Sequence, residues 1–246
     1  MAASWEQTTV EGELMRLYVS HPDGPGPYPG VVVIQHAPGV DKSIQETTER
    51  LASAGYVCVA PELYHRDPPD CRDDGLTRKA RLRDVSVTKD VNAAVDFLKG
   101  HKLVDGGRLG IIGFCMGGRV VYLMAAANPG FKAAVKYYGG DIFVPWGEGP
   151  APFTRTAEIH CPLLGHFGED DKNPSPEDMR KLDAELTRLG KVHEFHSYPG
   201  AGHAFMNKYG DRYRAHADEA SWPRTLEFFG RHLGKAAPTA AGPGGR

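Results

Sequence analysis

Short apolar runs bounded by glycine and proline alternate along this chain with longer stretches in which apolar residues recur every three to four positions. The runs predict strands over Met15–Ser20, Gly30–Gln35, Tyr56–Pro61, Arg108–Gly113, Ala133–Tyr138, Pro162–Gly168 and Val192–Tyr198. The longer stretches predict helices. Ser43–Ala54 opens on a serine able to cap, Val87–Lys99 carries Val91, Ala94, Val95 and Leu98 on one face, and Pro176–Leu189 starts with proline followed by two acids. Gly117–Ala127 and Trp222–Leu233 complete the set. Strands alternating with helices in this way predict an α/β fold with a mostly parallel sheet. Two segments, His65–Arg83 and Gly139–His160, break the rhythm and read as long loops beside strand ends, where lids and binding loops occur. No linker divides the interior, so residues 1–234 read as one domain. The Pro- and Gly-rich tail 235–246 reads as disordered.

The chain has 246 residues and a net charge of −2, with basic and acidic residues interleaved. A nucleic-acid partner is therefore not expected. A membrane span needs roughly 18 consecutive apolar residues; the best runs, Val31–Ile34 and Val120–Ala127, are core elements instead. The first residues lack the apolar region of a signal peptide, so a cytoplasmic location is expected. Four scattered cysteines, Cys58, Cys71, Cys115 and Cys161, fit free thiols. Neither His160–Cys161 nor His193 with His196 has zinc-ligand spacing, so no metal is expected.

One of those thiols stands in a special place. In RLGIIGFCMGGRVVYLMAAA a strand-like run ends at Gly113 and a helix-like run starts near Gly117, leaving Cys115 at the apex. This is a nucleophile elbow with cysteine in place of serine, and its glycines relieve crowding in a tight strand-to-helix turn. A free thiol with a pKa of about 8.5 is only roughly 3% ionised at neutral pH, and the positive end of a helix favours the thiolate. The N–H of Met116 is the expected first oxyanion donor, and that of Ala37, after the Gly30–Gln35 strand, the second.

Downstream come an acid after one strand and a histidine after a later one, the order of a hydrolase triad on this fold. GHFGEDD offers Asp170, with Asp171 and Glu169 as neighbours that strand alternation does not separate; GAGHAF offers His203. Both follow strands at the edge where open α/β sheets build sites. His203 would take the thiol proton and later activate water, oriented by the acid.

QHAPGV, APELYHR, GFCMGG, KYYGG, GHFGEDD and GAGHAF together resemble the dienelactone hydrolase family from about Met15 to Leu233. The resemblance implies an α/β-hydrolase fold with helices on both faces of the sheet, no large cap domain and no cofactor. It also implies a triad of Cys115, His203 and Asp170, the acid lying two residues after Gly168. Two positions depart from the family. His36 stands where members carry a glutamate that contacts the resting cysteine, and Asn207 where they carry an arginine that clamps the substrate carboxylate.

His36 reads either as a polar group beside the thiol or as a strand-end residue satisfied by its surroundings. Arg78 and Arg81 read either as reaching an anionic substrate or as the solvated face of a helical lid opposite DPPDCRDD. Tyr64, Phe114, Tyr138 and Phe205, with Trp146, are candidates to line an apolar pocket.

A thiolate attacks well but also leaves well, so turnover favours activated leaving groups: enol and aryl esters, enol lactones and thioesters. The expected function is hydrolysis of such an ester or lactone through a thioester on Cys115, acting on a small molecule, as a monomer or homodimer. A thioesterase or acyltransferase, a non-catalytic binder of carbonyl ligands, and a redox thiol protein are the other readings.

Overall fold

The computed structural model describes residues 1–234, and the tail 235–246 lies outside the described residues. Eight strands form one sheet: β1 (Ala2–Val10), β2 (Glu13–His21), β3 (Tyr28–Ile34), β4 (Val57–Pro61), β5 (Val104–Phe114), β6 (Phe131–Tyr137), β7 (Leu163–Gly168) and β8 (His193–Tyr198). Their spatial order is β1-β2-β4-β3-β5-β6-β7-β8. β1 pairs β2 and β2 pairs β4 antiparallel; every later pair is parallel.

The helices are α1 (Lys42–Ser53), α2 (Gly75–Arg81), α3 (Asp84–Gly100), α4 (Met116–Ala127), α5 (Pro176–Arg188) and α6 (Ala215–Leu233). They cover both faces of the sheet, which explains the unbroken apolar runs of the central strands. Along β3, Val32 and Ile34 pack into a core with Val91 of α3 and Val120 of α4. The intervening Val31 and Val33 belong to the opposite core, with Leu51 of α1 and Phe229 of α6. The fold is that of an α/β hydrolase, and parallel strands β5 to β8 deliver their carboxyl ends to one edge.

The structure differs from the sequence expectations at several elements, four of them instructive. β1 was not expected: eight of its nine residues are exposed or half-exposed, so no buried face imposed an alternation. Helix α2 lies inside the segment read as loop, and it buries none of its residues. α6 starts seven residues before Trp222, with Pro223 inside the helix. The cap of α1 is Asp41, whose carboxylate accepts from the N–H of Ile44, and Ser43 lies within the helix.

Candidate active site

Cys115 sits between β5 and α4 with φ 56° and ψ −122°, a left-handed conformation that costs energy for any residue but glycine. Two glycines hold it there. A Cβ on Gly113 would come 2.3 Å from the carbonyl oxygen of Gly117, and one on Gly117 would come 2.6 Å from the carbonyl oxygens of Ile34 and Gln35. Helix α4 can thus start directly against the end of β3. The backbone N–H groups of Met116 and Ala37 both act on the Cys115 thiol to lower it.

Burial pushes the Cys115 thiol up, but a hydrogen bond and the positive charge of His203, with those two N–H groups, hold it below its ordinary value. Burial likewise pushes the His203 imidazole down. Hydrogen bonds to Asp171 and Cys115, and their charges, overcome this and raise it to about 10. Both shifts favour a thiolate facing an imidazolium.

The acid on His203 is Asp171 and not Asp170. Asp171 Oδ2 lies 2.9 Å from His203 Nδ1, and its carboxylate is almost wholly buried. The reason is a turn just past β7: the N–H of Asp171 donates to Gly168 O and that of Asp170 to Ala201 O, which leaves Asp170 exposed and turns Asp171 inward. Asp171 Oδ1 accepts from the backbone N–H of Asn173 at 2.9 Å, so both its oxygens are occupied.

The other expected residues divide. His36 is buried at the end of β3 with Nε2 2.9 Å from Asp41 Oδ2, facing the cap of α1. Arg78 and Arg81 both bind Asp67, and Arg81 also binds Asp73, so α2 presents them to the acidic stretch. Tyr64, Phe114, Tyr138 and Phe205 are buried, and their role is support rather than lining. Tyr64 donates to the carbonyl of Ala37, bracing the loop after β3. The Tyr138 ring lies 5.3 Å from that of His203 and 5.0 Å from that of Phe205. Phe114 stacks on Tyr137, and Trp146 stacks on Arg119 at 3.9 Å. Asn207 turns back on its own loop, accepting from the N–H of Tyr209.

The open cleft above Cys115 and His203 has a volume of about 480 Å³. Leu76, Lys79, Asp141, Lys172, Asn173 and Arg212 stand on its wall, and the sequence reading singled out none of them. Lys79 is the neighbour of Arg78 within TRKAR, but a helix without a buried face carries no signal of which cation turns inward. Asp141, a left-handed residue with φ 52°, follows the Gly139–Gly140 pair, a local sign of an unusual turn.

The dienelactone hydrolase family model matches residues 15–233. A protein of Methylorubrum extorquens named "Putative carboxymethylenebutenolidase" is 35% identical over 220 residues, spanning 86% of this chain and 75% of its own. A Yersinia pestis protein of the same name is 35% identical over 248 residues, spanning 94% and 90%. A crystal structure from Klebsiella pneumoniae, described as a "Putative Dienelactone Hydrolase", superposes with a TM-score of 0.84 at 32% identity, covering 94% of this chain and all of that one.

Proposed function

The chain belongs to the dienelactone hydrolase family and is a hydrolase of that kind; from that premise we propose that it opens activated esters or lactones through a thioester formed on Cys115. One observation carries the reading: Cys115, at the start of helix α4, opens onto one cleft with His203, whose Nδ1 is held by Asp171. The thiolate attacks the substrate carbonyl, and the N–H groups of Met116 and Ala37 receive the developing oxyanion. As the carbon–oxygen bond breaks, His203 gives its proton to the departing oxygen, which in a lactone remains tethered to the acyl group. Neutral His203 then takes a proton from water, whose oxygen attacks the thioester and releases the carboxylic acid and Cys115. Asp171 fixes the ring and stabilises its charged form.

Enol and aryl esters suit this chemistry, because a good leaving group is expelled before sulfur is. Lys79, Lys172 and Arg212 around the cleft favour a substrate that bears a carboxylate. These cations would take the part that the position of Asn207 does not supply. The test is acid-quenched mass spectrometry during turnover of an aryl ester. The expected result is an acyl mass on the peptide bearing Cys115, lost in Cys115→Ala. Steady turnover by Cys115→Ala, or an adduct elsewhere, would overturn the reading.

A further inference from the structure

Three cations line the cleft, and among the described residues Lys79 alone is held by a carboxylate: its Nζ lies 2.5 Å from Asp141 Oδ2. That carboxylate is itself fixed. Asn173 Nδ2 donates to Asp141 Oδ1 at 2.7 Å, the N–H of Asp141 donates back to Asn173 Oδ1 at 3.1 Å, and buried Arg119 donates to the Asp141 carbonyl at 3.0 Å. Arg119 is in turn locked by Asp84 through paired contacts at 2.5 and 3.0 Å. Asp141 therefore cannot follow Lys79. The lysine, on a four-carbon stem from a helix with no buried residue, is the movable partner. Burial raises the Asp141 carboxyl, but Lys79, Asn173 and Arg119 together keep it below its usual range, so it carries its negative charge at neutral pH.

We infer that Asp141 is a specificity-determining residue, a built-in carboxylate that competes with the substrate's carboxylate for Lys79 and so limits how strongly the site prefers anionic esters. The inference rests on the ester-hydrolase reading and adds to it. An incoming carboxylate can draw Lys79 across the cleft only by breaking its contact with Asp141, whereas a neutral ester leaves that contact intact. The pair thus holds the preference for anions below what three free cations would give.

The experiment compares kcat/KM for the anionic 4-nitrophenyl hemiglutarate and the neutral 4-nitrophenyl butyrate. In Asp141→Asn the anionic-to-neutral ratio should rise roughly three- to tenfold, the scale of a partly screened ion pair. In Lys79→Gln it should fall, and Lys79→Gln/Asp141→Asn should match Lys79→Gln. An unchanged or lower ratio in Asp141→Asn, or the same rise without Lys79, overturns the inference. If the wild-type protein turns over neither ester, it is the hydrolase reading that fails. Calorimetric titration of glutarate into the same variants then decides the role of Asp141: tighter binding in Asp141→Asn supports it, and equal or weaker binding overturns it.

Discussion

His203 and His166 are two imidazoles near the same edge of one sheet, and their surroundings drive them in opposite directions. His166, in β7, is fully buried, with Nδ1 2.8 Å from the Tyr198 hydroxyl and Nε2 3.1 Å from Thr225 Oγ1. Burial pushes it well below the ordinary histidine value, and neutral hydroxyls do nothing to reverse that. At His203 burial acts the same way, but the Asp171 carboxylate and the Cys115 sulfur outweigh it and raise the ring to about 10. The cysteines repeat the contrast: burial drives Cys58 well above its usual value, while Cys115 falls below it. In this molecule burial alone silences a titratable group. A charged partner held at hydrogen-bond distance turns the same burial into a stabilised ion pair.

The largest effect should come from removing that partner. Asp171→Asn is expected to lower kcat/KM on the order of 10³-fold or more, because the ring loses its preferred tautomer and the support for its charge. The pH profile sharpens the point. The imidazolium form persists up to about pH 10 in the intact protein, so activity should decline on the alkaline side near that value, and in Asp171→Asn the decline should move to lower pH. An alkaline limb that stays in place would separate Asp171 from the titration of His203.

Lys136 tests the interior half of the contrast. It is completely buried in β6, its Nζ makes no hydrogen bond among the described residues, and it lies 5.4 Å from the Tyr122 ring and 5.3 Å from that of Phe167. Burial lowers it to about 7, opposed by the charge of Asp178. The folded state thus prefers the neutral amine, while the unfolded chain keeps its proton up to about pH 10.5. Between about pH 7 and 10.5 the unfolded state binds more protons, and stability rises with pH; the full penalty applies below that window. Lys136→Met should therefore stabilise the protein by roughly 2 kcal/mol or more at neutral pH and flatten that rise, as chemical denaturation at several pH values would record. A destabilised variant would mean that the amine has a favourable partner after all.

The smallest effect is assigned to Asp170→Asn. Asp170 is exposed on the cleft wall and its backbone N–H bonds Ala201 O rather than His203, so kcat/KM should change by less than about threefold, and a loss comparable with that of Asp171→Asn would return the acid to position 170.

These contrasts also mark what could be read from residue order. The elbow was legible because its requirements are local: a strand, three glycines and a helix lie within a few residues of Cys115. The central strands were legible because burial on both faces leaves an unbroken apolar run. The choice between Asp170 and Asp171 was not, since it depends on a contact between the turn after β7 and Ala201, more than thirty residues away. Helix α2 and strand β1 left little trace because neither buries a continuous face. For the same reason TRKAR offers Arg78 and Arg81 as readily as Lys79, the one of the three that turns to the cleft. The pairing of Asp141 with Asn173 joins two loops that no motif connects.

The charge state of Cys115 decides between the two behaviours of a buried group. Ultraviolet absorbance of the thiolate, recorded against pH as the difference between the wild-type protein and Cys115→Ala, isolates this one sulfur. A thiolate that persists below the usual cysteine value, and that is lost at higher pH in Asp171→Asn than in the wild type, is the predicted result. A difference signal that emerges only at or above the ordinary cysteine value would contradict it, leaving Cys115 a buried thiol like Cys58.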